Sequence, residues 1–517
     1  MKKESVNTKF LMFQLLFWGV FSLILSSTLV AFQNFTRISE SFNLKSSAVD
    51  FSNATVISDG FSGVYWNDDH SYSPAVAVDS SNTVHVVWYD SPDGPLGTDT
   101  EIMYANYAIA TGWSNTTVIS DGFGGVYWND APSIDPAVAV DSSNTVHVVW
   151  RDYTAGPWGM DWEIMYAKQT TATGWTNATV ISDGFGGIYW NDDHSFGPAV
   201  AVDNSNTVHV VWYDFTAGPW GTDTEIMYAK LTTATGWSNA TVISDGYSGV
   251  YWNDGHSYSP AVAVDSSNTV HVVWYDYTDG PWGTDTEIMY AKLTIAKGWS
   301  NATVISDGYS GVYWNDENSH SPAVAVDNNN TIHVVWSDYT AGPWGMDWEI
   351  MYANYTIAAG WSNVTVISDG FGGVYWNDGI SYIPAVAVDS SNTVHVVWYD
   401  SPDGPLGTDT EIMYANYTIA TGWSNSTVIS DGFGGVYWND GISTKPAVAV
   451  DSRNAVHVVW EDYTDGPWGT DTEIMYTSIP IPVPVVDDSQ DIPFGNFYIL
   501  FIFLGIIGII IYIKRKI

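Results

Sequence analysis

Between residues 53 and 478, short runs of β-branched and aromatic residues alternate with clusters of Gly, Asp, Asn and Ser, and the alternation repeats. The first unit holds four strand signals: 74–79 (PAVAVD), 83–89 (TVHVVWY), 101–107 (EIMYANY) and 116–120 (TTVIS). Turn chemistry separates them, with DSSN between the first two and TGWSN between the last two. No stretch within the units keeps an apolar 3.6-residue period long enough for a helix. The phrase SDG recurs with its Asp at 59, 121, 183, 245, 307, 369 and 431, every step being 62 residues with no insertion. PAVAVD also occurs seven times, ending at Asp79, Asp141, Asp203, Asp265, Asp327, Asp389 and Asp451.

Four short strands per unit, repeated radially, make a propeller blade. A β-solenoid is the alternative, but it uses shorter coils and needs capping segments. The ends of the array favour the ring. An orphan fourth strand, 53–58 (NATVIS), precedes the first PAVAVD, and only three strands follow from the last one, ending in EIMYTSI. Pairing the spare strand with the incomplete unit removes two exposed sheet edges. The expectation is an all-β chain forming a seven-bladed β-propeller of four-stranded blades, its ring closed by the N-terminal strand, with terminal transmembrane helices.

Both ends are apolar. Residues 1–32 read as a signal peptide or signal anchor, MKKESVNTK followed by a long hydrophobic run. A linker (33–52) leads into the propeller (53–478), and a Pro-rich stalk follows (479–493). Residues 494–513 read as a transmembrane helix, and 514–517 as a basic tail. The positive-inside rule puts Lys514, Arg515 and Lys516 in the cytoplasm and the propeller outside the cell.

Composition narrows the partner class. Acidic residues outnumber Lys and Arg by 57 to 15, which excludes nucleic acid, because phosphate contacts need cations. Cysteine is absent, so there is no disulfide framework and no thiolate site.

In a propeller, the loop entering a blade and the loop joining its second and third strands share one face. Here those are the long loops, so one face is elaborated and the other plain. The entering loop carries Tyr65, Trp66, Asn67 and Asp68. The Trp/Asp pair recurs as Trp128/Asp130, Trp190/Asp192, Trp252/Asp254, Trp314/Asp316, Trp376/Asp378 and Trp438/Asp440. An aromatic face beside amide and carboxylate acceptors suits a sugar ring. The other reading has Trp66 packing between blades and Asp68 capping a turn. Asp90, Asp99 and Glu101 cluster near the second loop as oxygen ligands that suit Ca²⁺, without the spacing of an EF-hand. His85 and its six equivalents each sit on a separate blade, which points to a structural histidine bonded to a neighbouring loop. Asn53, Asn115, Asn177, Asn239, Asn301, Asn363 and Asn425 begin N-x-[ST] sequons on the plain face, candidates for glycosylation.

The string PAVAVDSSNTVHVVWYD, followed by EIMYA and GWSNATVIS, resembles the sialidase or BNR-repeat propellers. The Asp-box turn of that family keeps its Gly and Trp here (TTATGW, ending at Trp237) but has lost its Asp. The resemblance implies catalysis through three arginines gripping a carboxylate, a tyrosine nucleophile paired with a glutamate, and an acidic proton donor. The chain has four arginines. Arg37 precedes the propeller, Arg515 lies in the tail, and Arg151 and Arg453 stand at non-equivalent positions of their units. No triad assembles, and no sialidase catalytic residue carries over.

Near-identical blades also suit repeated binding sites better than one asymmetric active site. The sequence therefore reads as a cell-surface binding or adhesion protein with a multivalent propeller for glycan or protein ligands. The alternatives are a sialidase-like glycoside hydrolase and a structural, calcium-stabilised envelope component. Differences between units concentrate just before the conserved Pro (DDHSYS, DAPSID, DENSHS, DGISTK) and in the second loop.

Overall fold

The computed structural model describes residues 51–58, 70–91, 99–120, 131–154, 160–170, 174–182, 193–215, 223–244, 255–277, 285–306, 317–340, 346–368, 379–401, 409–430, 441–463 and 470–479. The proposed signal, stalk, transmembrane and tail segments lie outside them. So do most residues of the long loops. Among the described residues no helix is long and apolar enough to cross a membrane.

Seven antiparallel sheets form seven blades. Blade 1 has an inner strand Ser71–Val78, a second strand Val84–Asp90 and a third strand Glu101–Ala108. Its outer strand comes in two pieces, Gly112–Trp113 and Thr117–Val118, both paired with the third strand. Two details differ from the sequence reading. The hairpin turn falls at 109–111 rather than across TGWSN, because Gly112 takes φ 75° and lets Trp113 pair at once with Tyr107. The inner strand starts three residues before Pro74 and contains a bulge between Tyr72 and Ala75.

Blade 7 is stitched from both ends of the propeller, as the offset of the repeats requires. Its strands Ser443–Val450, Val456–Tyr463 and Thr472–Ile479 are completed by Thr55–Val56, in register Thr55↔Tyr476 and Val56↔Met475. The inner strands of blades 7 and 1 then touch, closing the ring.

The second strand is apolar on both faces because each blade is covered on both sides, and strands buried on both faces read as continuous hydrophobic runs. Trp88 and its equivalents Trp150, Trp212, Trp274, Trp336, Trp398 and Trp460 are wholly buried. Each blade-to-blade seam has its own core. At the closing seam, Ile57, Val459, Ile474 and Tyr476 meet Val86, Trp88 and Met103. Trp113 meets Tyr476 edge-on at 5.0 Å across the same seam, and Trp175 meets Tyr104 in the same way at the next. These contacts explain why Gly-Trp recurs in the units: its Trp braces the preceding blade.

The plain end is a ring of short turns. Asp79 Oδ1 accepts from the backbone N–H groups of Ser81 (2.8 Å) and Thr83 (2.7 Å), and Asn82 sits in the left-handed region. Each turn holds the next: Ser80 donates to Asn144 Oδ1 at 2.7 Å, and Ser452 of blade 7 donates to Asn82 Oδ1 at 2.7 Å. His85 is structural, as expected. Its Nδ1 lies 2.8 Å from the Tyr104 hydroxyl, and its Nε2 faces Asp79 at 3.6 Å. Burial lowers its pKa. Both ends of the described propeller, Phe51 and Ile479, lie at this plain end, where Ser52 N–H donates to the Ser478 carbonyl at 2.8 Å.

Candidate functional site

The bulge in each inner strand aims one residue at the propeller axis. These are Ser73, Asp135, Gly197, Ser259, Ser321, Ile383 and Lys445, all with φ between 48° and 55° and all followed by proline. Bulges are a common device for re-aiming a side chain beside a functional site. Together with their prolines, the seven residues line a cavity of about 360 Å³. That is within the range of small-molecule sites. The cavity sits toward the elaborated end of the channel, since Ser73 is the third residue of a strand that starts there.

The sevenfold sameness of the chain fails at this cavity. The second strand reads VHVVWxD in six blades and IHVVWSD in the other, and the residue between the invariant Trp and Asp is Tyr89, Arg151, Tyr213, Tyr275, Ser337, Tyr399 or Glu461. It pairs with the residue before the bulge, as in Tyr72↔Tyr89, so both side chains lie on one sheet face beside the axis. The residues before the bulge vary as well: Tyr72, Ile134, Phe196, Tyr258, His320, Tyr382 and Thr444. Near-copy blades therefore present six different side-chain sets to one point, with only blades 1 and 4 sharing theirs. The expectation that symmetry leaves only repeated identical sites does not hold at the axis.

The rim has two sectors. Blades 7, 1 and 2 supply the charges. Lys445 Nζ lies 3.5 Å from Glu461 Oε2 and 3.1 Å from Ser73 Oγ. Glu461 is buried, and it accepts from Thr444 Oγ1 (2.7 Å) and from the Ser73 backbone N–H (2.9 Å). Arg151 Nε pairs with Asp135 at 2.8 Å, and its guanidinium lies 4.9 Å from the ring centres of both Trp162 and Phe196. Tyr89 stands between the two pairs. Burial, with Asp135 and Glu461 nearby, pushes its pKa up to about 12, so it remains a protonated hydrogen-bond donor at neutral pH.

Blades 3 to 6 supply an unbroken chain of rings. Phe196, Tyr213, Tyr258, Tyr275 and His320 follow one another with centroids 4.6 to 5.5 Å apart. The chain continues through Trp348 to Tyr382 at 5.2 and 5.1 Å. Gly197 is needed here: a Cβ at that position would fall 2.9 Å from the Tyr213 ring, so its absence lets Tyr213 lean toward the axis. Burial lowers the pKa of His320.

The other sequence candidates are distributed differently. The loop cluster expected to meet a sugar ring lies wholly outside the described residues. This holds for Tyr65, Trp66, Asn67 and Asp68 in the first unit. It holds equally for Trp128 and Asp130, Trp190 and Asp192, Trp252 and Asp254, Trp314 and Asp316, Trp376 and Asp378, and Trp438 and Asp440. The site described at the axis is built without any of them. Asp90 and Glu101 are buried cross-strand neighbours at the elaborated end, with Asp99 half-buried two residues before Glu101. Asp90 accepts from Ser71 Oγ at 2.5 Å, and Glu101 accepts from Ser120 Oγ. Among the described residues no group of three or more His, Asp or Glu side chains is arranged to hold a metal ion. Asn53, Asn115, Asn177, Asn239, Asn301, Asn363 and Asn425 are all exposed, in the break between the two pieces of the outer strand or its counterpart before Thr55.

The axial residues were not singled out from the sequence. A signal was present: the units diverge just before the conserved proline. What was missing is that the bulge brings those positions from seven blades to one cavity.

No protein-family model matches the chain. A curated protein from Neosartorya fischeri, a probable oligoxyloglucan-reducing end-specific xyloglucanase, is 30% identical over 181 residues, which is 33% of this chain. The match spans 21% of that relative's length. Among solved structures, a polysaccharide lyase of family PL25, an ulvan lyase bound to -[GlcA(1-4)Rha3S]-, superposes with a TM-score of 0.52 and 8% identity, covering 81% of this chain and 95% of its own. The NanB sialidase of Streptococcus pneumoniae gives a TM-score of 0.40 at 11% identity, covering 83% of this chain and 70% of its own. The propeller is thus similar in fold to that of the ulvan lyase.

Proposed function

We propose that the protein is a carbohydrate-binding propeller displayed outside the cell membrane, and that it engages glycan through the axial cavity. The observation that carries this is the convergence of the copy-breaking residues. Units that agree at almost every core position differ where their bulges meet the axis, with polar bulge residues lining the cavity and the half-buried ring chain running beside it. Aromatic faces beside fixed polar groups suit pyranose rings. This replaces seven equivalent loop sites with one asymmetric site. With an apolar segment beyond each end of the propeller and both ends at the plain end, an anchored chain presents the cavity away from the lipid surface.

The test is a glycan array probed with the purified full chain and with Ser259→Trp, which fills the cavity. Binding that survives the substitution puts the glycan elsewhere, and no binding to any carbohydrate removes the reading.

A carbohydrate-active enzyme is the second reading, favoured by the xyloglucanase likeness and by two carboxylates beside a protonated tyrosine at the axis. New reducing ends from xyloglucan, abolished in a Glu461→Gln variant, support it. Their absence leaves the binding function.

A further inference from the structure

Granting that the axial cavity is a glycan site, its electrostatics define which glycans enter. We propose that it selects uncharged sugars and rejects those carrying carboxylate or sulfate.

Among the described residues, two charged side chains line the cavity, Asp135 and Lys445, and each is already paired. Asp135 holds Arg151, and Lys445 is held by Glu461. The formal charge of the four is zero. Each cation has a further contact. Arg151 has aromatic rings at 4.9 Å from its guanidinium, while Lys445 also bonds Ser73. Glu461 is buried and fixed by Thr444 and by the backbone of Ser73.

An incoming carboxylate that claims a cation outright displaces that cation's own carboxylate. The displaced group then sits in a partly desolvated site without its partner, which is strongly unfavourable. If the pair stays intact, the ligand meets Asp135 or Glu461 as a like charge. A sugar hydroxyl faces neither problem. It donates to a carboxylate oxygen and accepts from Lys445 or Arg151 without breaking either pair, and neighbouring hydroxyls can span both members. The ring chain from Phe196 to Tyr382 offers the apolar counterpart for the C–H face of the sugar. A site that grips anions has the opposite character, with guanidinium groups left open for bidentate contact.

Matched ligands test this: a cello-oligosaccharide and its C6-oxidised, glucuronate counterpart, each titrated calorimetrically into the full chain. The expected result is at least tenfold tighter binding of the neutral sugar. In Asp135→Asn and in Glu461→Gln, which each leave one cation unpaired, the oxidised sugar should gain at least tenfold. Asp135 is partly exposed, so its substitution leaves the fold intact even where loss of the buried Glu461 does not. Wild-type binding of the oxidised sugar as tight as the neutral one overturns the inference, as does an unchanged preference in Asp135→Asn, while both outcomes leave the glycan site standing. Binding of neither sugar, together with a blank glycan array, removes the glycan site and this inference with it.

Discussion

Replacing Ile57 by Ala tests whether a strand from the N-terminal end closes the ring. Ile57 is 1% exposed and packs at the seam between blades 7 and 1, against Trp88, Ile474 and Tyr476. Its N–H donates to the Ile474 carbonyl at 2.9 Å. The repeat supplies an internal control. Ile119 is also 1% exposed, sits in the matching seam between blades 1 and 2, and donates to the Ile102 carbonyl at 2.9 Å. Truncating a buried Ile to Ala removes its transfer free energy and leaves a cavity, a cost of about 2–5 kcal/mol. Since the two environments match, the two variants should lose the same amount within about 1 kcal/mol. Ile119 is continuous with the rest of its blade, whereas Ile57 reaches its blade across more than 400 residues of chain. Urea unfolding followed by tryptophan fluorescence reads both. A transition shifted in Ile119→Ala and unmoved in Ile57→Ala would refute closure by this strand.

Other predictions concern charge, hydrogen bonding and modification. Burial holds the carboxyls of Asp214 and Asp338 well above the usual range, so their contribution is full below the ordinary value of 3.8 and is lost as pH rises above it. An Asp214→Asn, Asp338→Asn variant, keeping the acceptors for Ser195 and Trp212 and for Ser319 and Trp336, should show a smaller fall in Tm from pH 5 to pH 8 than the wild type. Burial lowers the pKa of His271 and His457 to about 4, so their contribution is present above 6.5 and lost as pH falls from 6.5 toward 4; His271→Gln should weaken that acid-side loss in thermal melts. Tyr104→Phe leaves the buried His85 Nδ1 without its hydroxyl partner and should cost about 1–3 kcal/mol in chemical denaturation. The exposed sequon asparagines should carry N-glycans: treatment with an amidase that removes them should convert Asn115 and its equivalents to Asp, detectable by peptide mass, in protein from its native source.

The ring was legible because its causes are local and repeated. A fixed 62-residue step, alternating β-branched runs and one spare strand at the N-terminal end determine the number of blades and the seam. His85 could be read as structural because each second strand supplies a single histidine, and that strand lies behind the inner strand rather than at the axis. The turn at 109–111 was missed because Gly112 admits both a turn and a strand-entry conformation, and the cross-strand Tyr107 decides between them. The cavity was missed for a longer-range reason. Arg151 and Glu461 are more than 300 residues apart, and the positive-φ bulge that brings their strands' neighbours to the axis leaves no mark in the sequence beyond an X-Pro pair. Along the chain the units look alike. The ring compares them at the axis, where they differ.

The number of glycan molecules bound per chain tests the central claim most directly. Isothermal titration with a neutral oligosaccharide that binds the full chain should give one site per propeller, lost in Ser259→Trp. A stoichiometry near seven, or one site unaffected by that substitution, would place recognition in the repeated loops and contradict an asymmetric axial site.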